Sequence, residues 1–253
     1  MSALRLAVVH VTAMRRRLLA LAALCAVFLL VAAAAAVFLR DEHGDVHIDS
    51  LFVVGGYTAA SALLLLGWLL GRLPLIALLL LMGGIISDDR ADGLARLIHV
   101  RPASPVAVYG ARFTLIAAIA FVACGIVMPA FDLLMLGEWA GPATLVLILA
   151  YILAYGGLIA FLSAWTRGET WLVLLLAIVA IVWSALQRAA TLPVAPGFAS
   201  VIGFILPPQP ALFELEGAFA ALQPIPWDAF LFCAGYGVVF LALAALSVSR
   251  REV

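Results

Sequence analysis

Lysine is missing from this chain. All fourteen basic residues are arginine, and they are balanced by fourteen acidic ones. A phosphate-binding P-loop needs a lysine, so this chain carries no such nucleotide site of its own. Charge of either sign is scarce: only 11% of the residues are charged, and the net charge is zero. Bulk electrostatics therefore give no reason to expect a nucleic-acid partner. Nucleophile elbows of the Gly-x-Ser-x-Gly type and His-Glu-x-x-His motifs are also absent. None of the four histidines lies in the middle of an apolar run, which excludes paired axial ligands for a membrane haem. The three cysteines, Cys25, Cys124 and Cys233, are scattered singly through apolar stretches with no metal-ligand spacing. They read as small apolar side chains. His43 and His47 stand four apart beside Asp45 and Asp49, and read as solvated loop residues rather than a metal site.

What the chain has instead is apolar sequence, 67% of 253 residues. Several runs exceed the roughly 18 residues that mark a membrane-spanning helix. The polar stretches between them are too short for a separate soluble domain. The expected fold is a single all-α polytopic membrane domain over residues 1–253. Its six spans are expected at about 18–39, 51–87, 109–135, 143–165, 171–190 and 228–248. The first run, from Leu18 to Leu39, covers 22 residues, long for a signal peptide and right for an uncleaved span. Ahead of it, residues 1–17 place Leu4, Ala7, Val8, Val11 and Met14 on one helical face, the pattern of an interfacial helix. The run at 51–87 is too long for one straight crossing, and Gly71-Arg72-Leu73-Pro74 interrupts it. Pro74 lacks a backbone donor, so a kink or break is expected there. Between spans five and six, Pro193, Pro196, Pro207, Pro208, Pro210, Pro224 and Pro226 surround an apolar piece too short to cross. That pattern predicts re-entrant or interfacial helices.

Arginine placement tests the topology. With both termini in the cytoplasm, Arg5, Arg15, Arg16, Arg17, Arg90, Arg96, Arg101, Arg112, Arg167, Arg250 and Arg251 fall inside. Only Arg40 and Arg188 fall outside, the asymmetry that the positive-inside rule asks for. Reading 51–87 as two crossings would invert everything downstream and lose that asymmetry. The expectation is a multi-pass protein of the plasma (inner) membrane.

The longest charge-rich segment, residues 86–112, then lies in the cytoplasm. Asp88 and Asp89 stand where carboxylates favour a helix start. Leu94, Leu97 and Ile98 fall at i, i+3 and i+4, while Arg96 and His99 point elsewhere. Pro102 and Pro105 end the pattern. A short amphipathic helix between two spans is expected, poised to dock a soluble partner.

Asp89-Arg90, Gly93-Leu94, Pro102-x-Ser104 and Gly110-x-Arg112 give this segment a further meaning. It resembles the first cytoplasmic loop of the permease subunits of type-2 ABC exporters, with Asp89 where Glu is common and Arg112 where Lys is common. The similarity of these motifs covers about 25 residues, and the plan of spans agrees over nearly the whole chain. The resemblance implies a coupling helix, formed here by Asp88, Asp89, Arg90, Gly93, Leu94, Arg96 and Pro102, that fits a cleft on a separate ATP-binding subunit. ATP and Mg would be bound by that subunit, and no cofactor by this chain. It also implies a second permease chain, identical or similar. The apolar spans suit a hydrophobic or amphipathic cargo.

Two rivals remain at this level. One is a membrane scaffold that recruits a soluble protein through the same loop and transports nothing. The other is an intramembrane enzyme built on Arg72 and Asp132, the two candidate charges at membrane depth, which either pair across spans two and three or each lie near the interface and snorkel to it.

Overall fold

The computed structural model describes residues 3–39, 69–93, 98, 104–135, 137, 139, 141–188, 196–220 and 223–250. These form ten helices: α1 (Ala3–Ala13), α2 (Arg15–Leu39), α3 (Leu73–Met82), α4 (Ser87–Ala91), α5 (Pro105–Met135), α6 (Ala143–Ser163), α7 (Glu169–Arg188), α8 (Pro196–Ile205), α9 (Gln209–Ala220) and α10 (Trp227–Arg250). Strands are absent among the described residues. Five helices, α2, α5, α6, α7 and α10, are long and apolar enough to cross a membrane. The protein is thus a helical, multi-pass membrane type, as its apolar runs require. The first part of the expected second span, the acidic connection at 40–50 with His43 and His47, and residues 189–195 lie outside the described residues.

Helix α6 is the centre of the bundle. Two thirds of it is buried, and α3, α5, α7, α9 and α10 all pack against it. Its contact with α10 is the tightest. A side-chain carbon added at Gly157 would come within 2.5 Å of the Gly237 carbonyl oxygen, and one at Gly237 within 2.2 Å of that of Leu153. The main chains touch, which only glycine allows; apolar helices in lipid associate through such close packing. Elsewhere the core is filled by large side chains such as Tyr151, Tyr155, Leu78, Met82 and Met128.

Local sequence accounts for the element boundaries. Helical residues 69–71 precede a turn at Arg72, and α3 starts afresh with Pro74 in its first turn, where a missing N–H costs nothing. Pro105 is the first residue of α5 for the same reason. It therefore opens the next span four residues earlier than expected and does not stop the preceding helix. Glycines end the short pieces: Gly84 and Gly93 have φ of +81° and +73°. At Gly84 any side chain would also strike the Asp88 carboxylate. Ala7 of α1 and Met14 just after it face inward and Val11 packs on the core, while Leu4 and Val8 stay 61% and 46% exposed. The helix rests on α5 by a narrower face than the sequence pattern suggested.

Candidate functional site

The segment expected to form one amphipathic coupling helix is built differently. Ser87–Ala91 is a single helical turn that ends at Asp92 and the left-handed Gly93, and Ile98 further on is helical again. Leu94, Arg96, Leu97, His99 and Pro102 lie outside the described residues, whereas Ile98 is buried. The described part, 83–91, is a tight turn followed by one turn of helix, and four other elements grip it.

The first grip comes from the connection between α6 and α7. The hydroxyl oxygen of Ser163, the last residue of α6, accepts the N–H groups of Ile86 and Ser87 at 3.1 and 3.0 Å. Glu169, the first residue of α7, is only 2% exposed. Its carboxylate accepts the Gly84 N–H at 2.5 Å and the Ser87 hydroxyl at 2.8 Å. These bonds satisfy N–H groups that a helix start leaves without an internal partner. They also place a buried carboxylate at the positive end of α7, where the helix dipole favours it. Arg90 completes this side by donating to the Ala164 carbonyl at 2.6 Å.

The second grip is on the opposite side. Arg112, in the third turn of α5, donates to Asp89 at 2.5 Å, and both side chains are over nine-tenths buried. Arg17, at the start of α2, donates to the Gly83 carbonyl and reaches Asp88 at 3.2 Å. His10 of α1 lies near this cluster. Its imidazole is held down to about pKa 4, first by burial and then by the positive charge of Arg112 and Arg17, with Asp89 pulling the other way. The arrangement is a polar latch that fastens 83–91 to α2, α5, α6 and α7.

The latch sorts the expected contact residues. Asp89 faces inward and is a structural ion pair, which corrects its assignment to the partner surface: a buried carboxylate needs its cation more than it needs a docking role. Asp88, Arg90, Ala91, Asp92 and Gly93 are exposed, and Trp165 and Arg167 of the α6–α7 connection are exposed beside them. A polar cavity of about 260 Å³ separates Ser87 and Arg90 from Trp165, Thr166 and Arg167. Ser163 and Glu169 escaped sequence reading. A Ser and a Glu framing a five-residue gap between two spans were the available signal.

Of the two candidate intramembrane charges, Arg72 meets a different partner from Asp132. Arg72 is buried, but the carboxylate that meets it is Glu216 of α9, and the Tyr151 hydroxyl of α6 stands 3.0 Å from the same guanidinium. Tyr151 donates to the Glu216 oxygen as well. The guanidinium groups of Arg72 and Arg188 stand 5.2 and 4.4 Å from the centroid of the Phe213 ring. Helical rise explains the mismatch with Asp132. Asp132 is twenty residues beyond Arg112, about 30 Å along α5. Arg72 is only ten residues from the end of α3, about 15 Å. The two charges belong to different depths. Tyr155, one turn after Tyr151, donates to Gln209, so two stacked tyrosines hold α9 at its start and two turns further on.

Among the described residues no group of three or more His, Cys, Asp or Glu side chains is placed to hold a metal. No family model, curated protein or solved structure matches the chain.

Proposed function

We propose that this chain is the membrane-spanning permease subunit of a type-2 ABC exporter, driven by ATP hydrolysis on a separate subunit. The observation that supports this reading is the latch. A docking loop that only recruits a partner needs an exposed face and nothing more. A loop that passes on force must be fastened to the helices it moves. Residues 83–91 are hydrogen-bonded to four helices, three of them at their ends, and two of the four contacts run through buried carboxylates. Their outer edge, Asp88, Arg90 and Asp92, faces away from the bundle.

On this reading the latch is the cytoplasmic coupling contact. Residues 51–87 supply a sixth span, α1 lies in the interface, and both termini are cytoplasmic in the inner membrane. Helices α8 and α9 are the re-entrant or interfacial pair on the outer side. Two such chains, identical or similar, enclose the path of a hydrophobic or amphipathic cargo. Movement of the partner's cleft would pull on Ser163 and Glu169 and so on α6 and α7 together.

The test is affinity purification of the full chain from its native membrane, followed by ATPase assay. A partner bearing a Walker motif should copurify and hydrolyse ATP. The variant Asp92→Arg, which alters an exposed side chain outside the hydrogen bonds of the latch, should uncouple hydrolysis from transport while the thermal unfolding midpoint holds. A copurifying partner without nucleotide hydrolysis would favour the scaffold instead. Activity of the chain alone on a substrate would favour an enzyme.

A further inference from the structure

The polar cavity between the latch and the α6–α7 connection measures about 260 Å³. Ser87 and Arg90 line one side of it, and Trp165, Thr166 and Arg167 the other. Pockets for whole small molecules run to about 300–1,000 Å³, so this one suits a single side chain. Its lining holds two guanidinium groups, two hydroxyls and one indole, and no acidic group. Trp165 is the only lining residue with a large apolar surface, which leaves no slot for an acyl chain.

The neighbouring acids are engaged elsewhere or stand apart. Asp88 is paired with Arg17, and Asp89 with Arg112. Glu169 lies behind Ser87, and one of its oxygens accepts the Gly84 N–H and the Ser87 hydroxyl. Asp92 is exposed. Neither Glu169 nor Asp92 lines the cavity, and neither forms an ion pair with Arg90 or Arg167. The Arg90 guanidinium donates to a neutral acceptor, the Ala164 carbonyl. The Arg167 side chain is exposed and has no ion-pair partner among the described residues. Two like charges on opposite walls of one small cavity repel, and a negative group between them relieves that repulsion.

We propose that this cavity is a socket for the carboxylate of an Asp or Glu side chain on the ATP-binding subunit. The proposal rests on the permease reading above and names the chemistry of the partner's surface. Guanidinium groups bind carboxylates through paired N–H donors, which fixes direction as well as strength. A carboxylate seated there ties residues 83–91 to the α6–α7 connection from outside the bundle. The Trp165 indole N–H donates to Ser247 of α10 at 3.1 Å, so the same contact reaches a third element.

The absence of lysine supplies the test. Carbodiimide joins carboxylates to amines at zero length, and the natural chain has no lysine amine to react. The full chain is treated in nanodiscs together with its copurified ATPase. Arg167→Lys should give a covalent adduct that maps by mass spectrometry to one Asp or Glu of the ATPase. Arg16→Lys, exposed at the start of α2, should not reach the same acid. Arg167→Glu should weaken ATPase binding about tenfold or more at low salt, with the unfolding midpoint unchanged. Replacing the mapped acid by arginine should restore that binding. A complex that hydrolyses ATP while Arg167→Lys gives no adduct, or while Arg167→Glu binds as tightly as the natural chain, would overturn the socket and leave the permease reading standing. An adduct within the chain, to Asp92 or Glu169, would overturn it too, because the chain would then fill its own cavity. A loss of binding confined to nanodiscs with phosphatidylglycerol would hand the arginines to lipid headgroups. Failure of any ATPase to copurify would remove the permease reading and the socket's occupant together.

Discussion

Two arginines are drawn into the interior of this bundle, and each meets a carboxylate, yet the two pairs are built for different work. Arg112 and Asp89 lie 23 residues apart, at the arginine-rich end, and join a loop to the span that follows it. Arg72 and Glu216 lie 144 residues apart and join the start of α3 to a short helix near the end of the chain. Asp89 has one guanidinium partner, with the Tyr109 hydroxyl beside it. Glu216 shares its oxygen between Arg72 and Tyr151, and Phe213 covers the cation. The first pair is a single ion pair with little in reserve; the second is a network. Removing one partner of a buried pair strands the other charge, so the number of remaining donors decides the cost.

That contrast is most exposed to failure at the arginines. Arg112→Met should destabilise the protein by about 3–5 kcal/mol, the usual cost of leaving a buried charge unpaired. Arg72→Met should cost clearly less, because Tyr151 still donates to Glu216. Thermal unfolding in detergent, read by a thiol dye reaching buried Cys124 and Cys233, measures both. Equal losses would end the distinction between fastening and network.

Next in size is Tyr151→Phe. Loss of a hydrogen bond to a charged group should cost about 1.5–3 kcal/mol. The loss should grow in the Arg72→Met background, where Glu216 has no second donor. Additive effects would mean that the two donors act independently.

The third difference is in pH response. The His10 imidazole has its pKa lowered from 6.5 to about 4 in the folded chain. The unfolded chain therefore takes up a proton first as pH falls. Stability attached to this group is complete above about pH 6.5 and drains away toward pH 4. His10→Gln should flatten that slope in an unfolding titration, while Tyr151→Phe should leave it in place.

The smallest effect belongs to Asp88. Its pair with Arg17 is partly exposed on both sides, 56% and 38%, and Asp88→Asn should change stability by no more than about 1 kcal/mol. A loss as large as that of Arg112→Met would show that the outer edge of the latch carries load too.

The spans were legible because their signal is a sum over twenty or so apolar residues, which no single exception disturbs. Asp88 and Asp89 were not separable in the same way. Adjacent and chemically identical, they differ only in which side of one helical turn they occupy, and that is fixed by Arg112 and by the left-handed Gly84 upstream. The length of α4 was hidden too, since the apolar spacing of Leu94, Leu97 and Ile98 argues for continuation while Gly93 ends the helix. Arg72 was recognisable as a buried charge in need of a partner. Its partner was out of reach, because Glu216 sits in a proline-bounded stretch that reads as a connection, and because depth along a helix, not mere polarity, decides which charges can meet.

The glycine contact between α6 and α10 has a mechanical consequence. Helices whose main chains touch at Gly157 and Gly237 can neither slip by a residue nor roll without collision. They behave as one lever arm, about 30 Å long by the rise of α6, with Ser163 and the latch at its lower tip. A tug there is not absorbed by side chains yielding one at a time along the way. On the proposed coupling role it would swing the whole arm, past the midpoint where the two tyrosines hold α9 and on to the far tip where α10 begins.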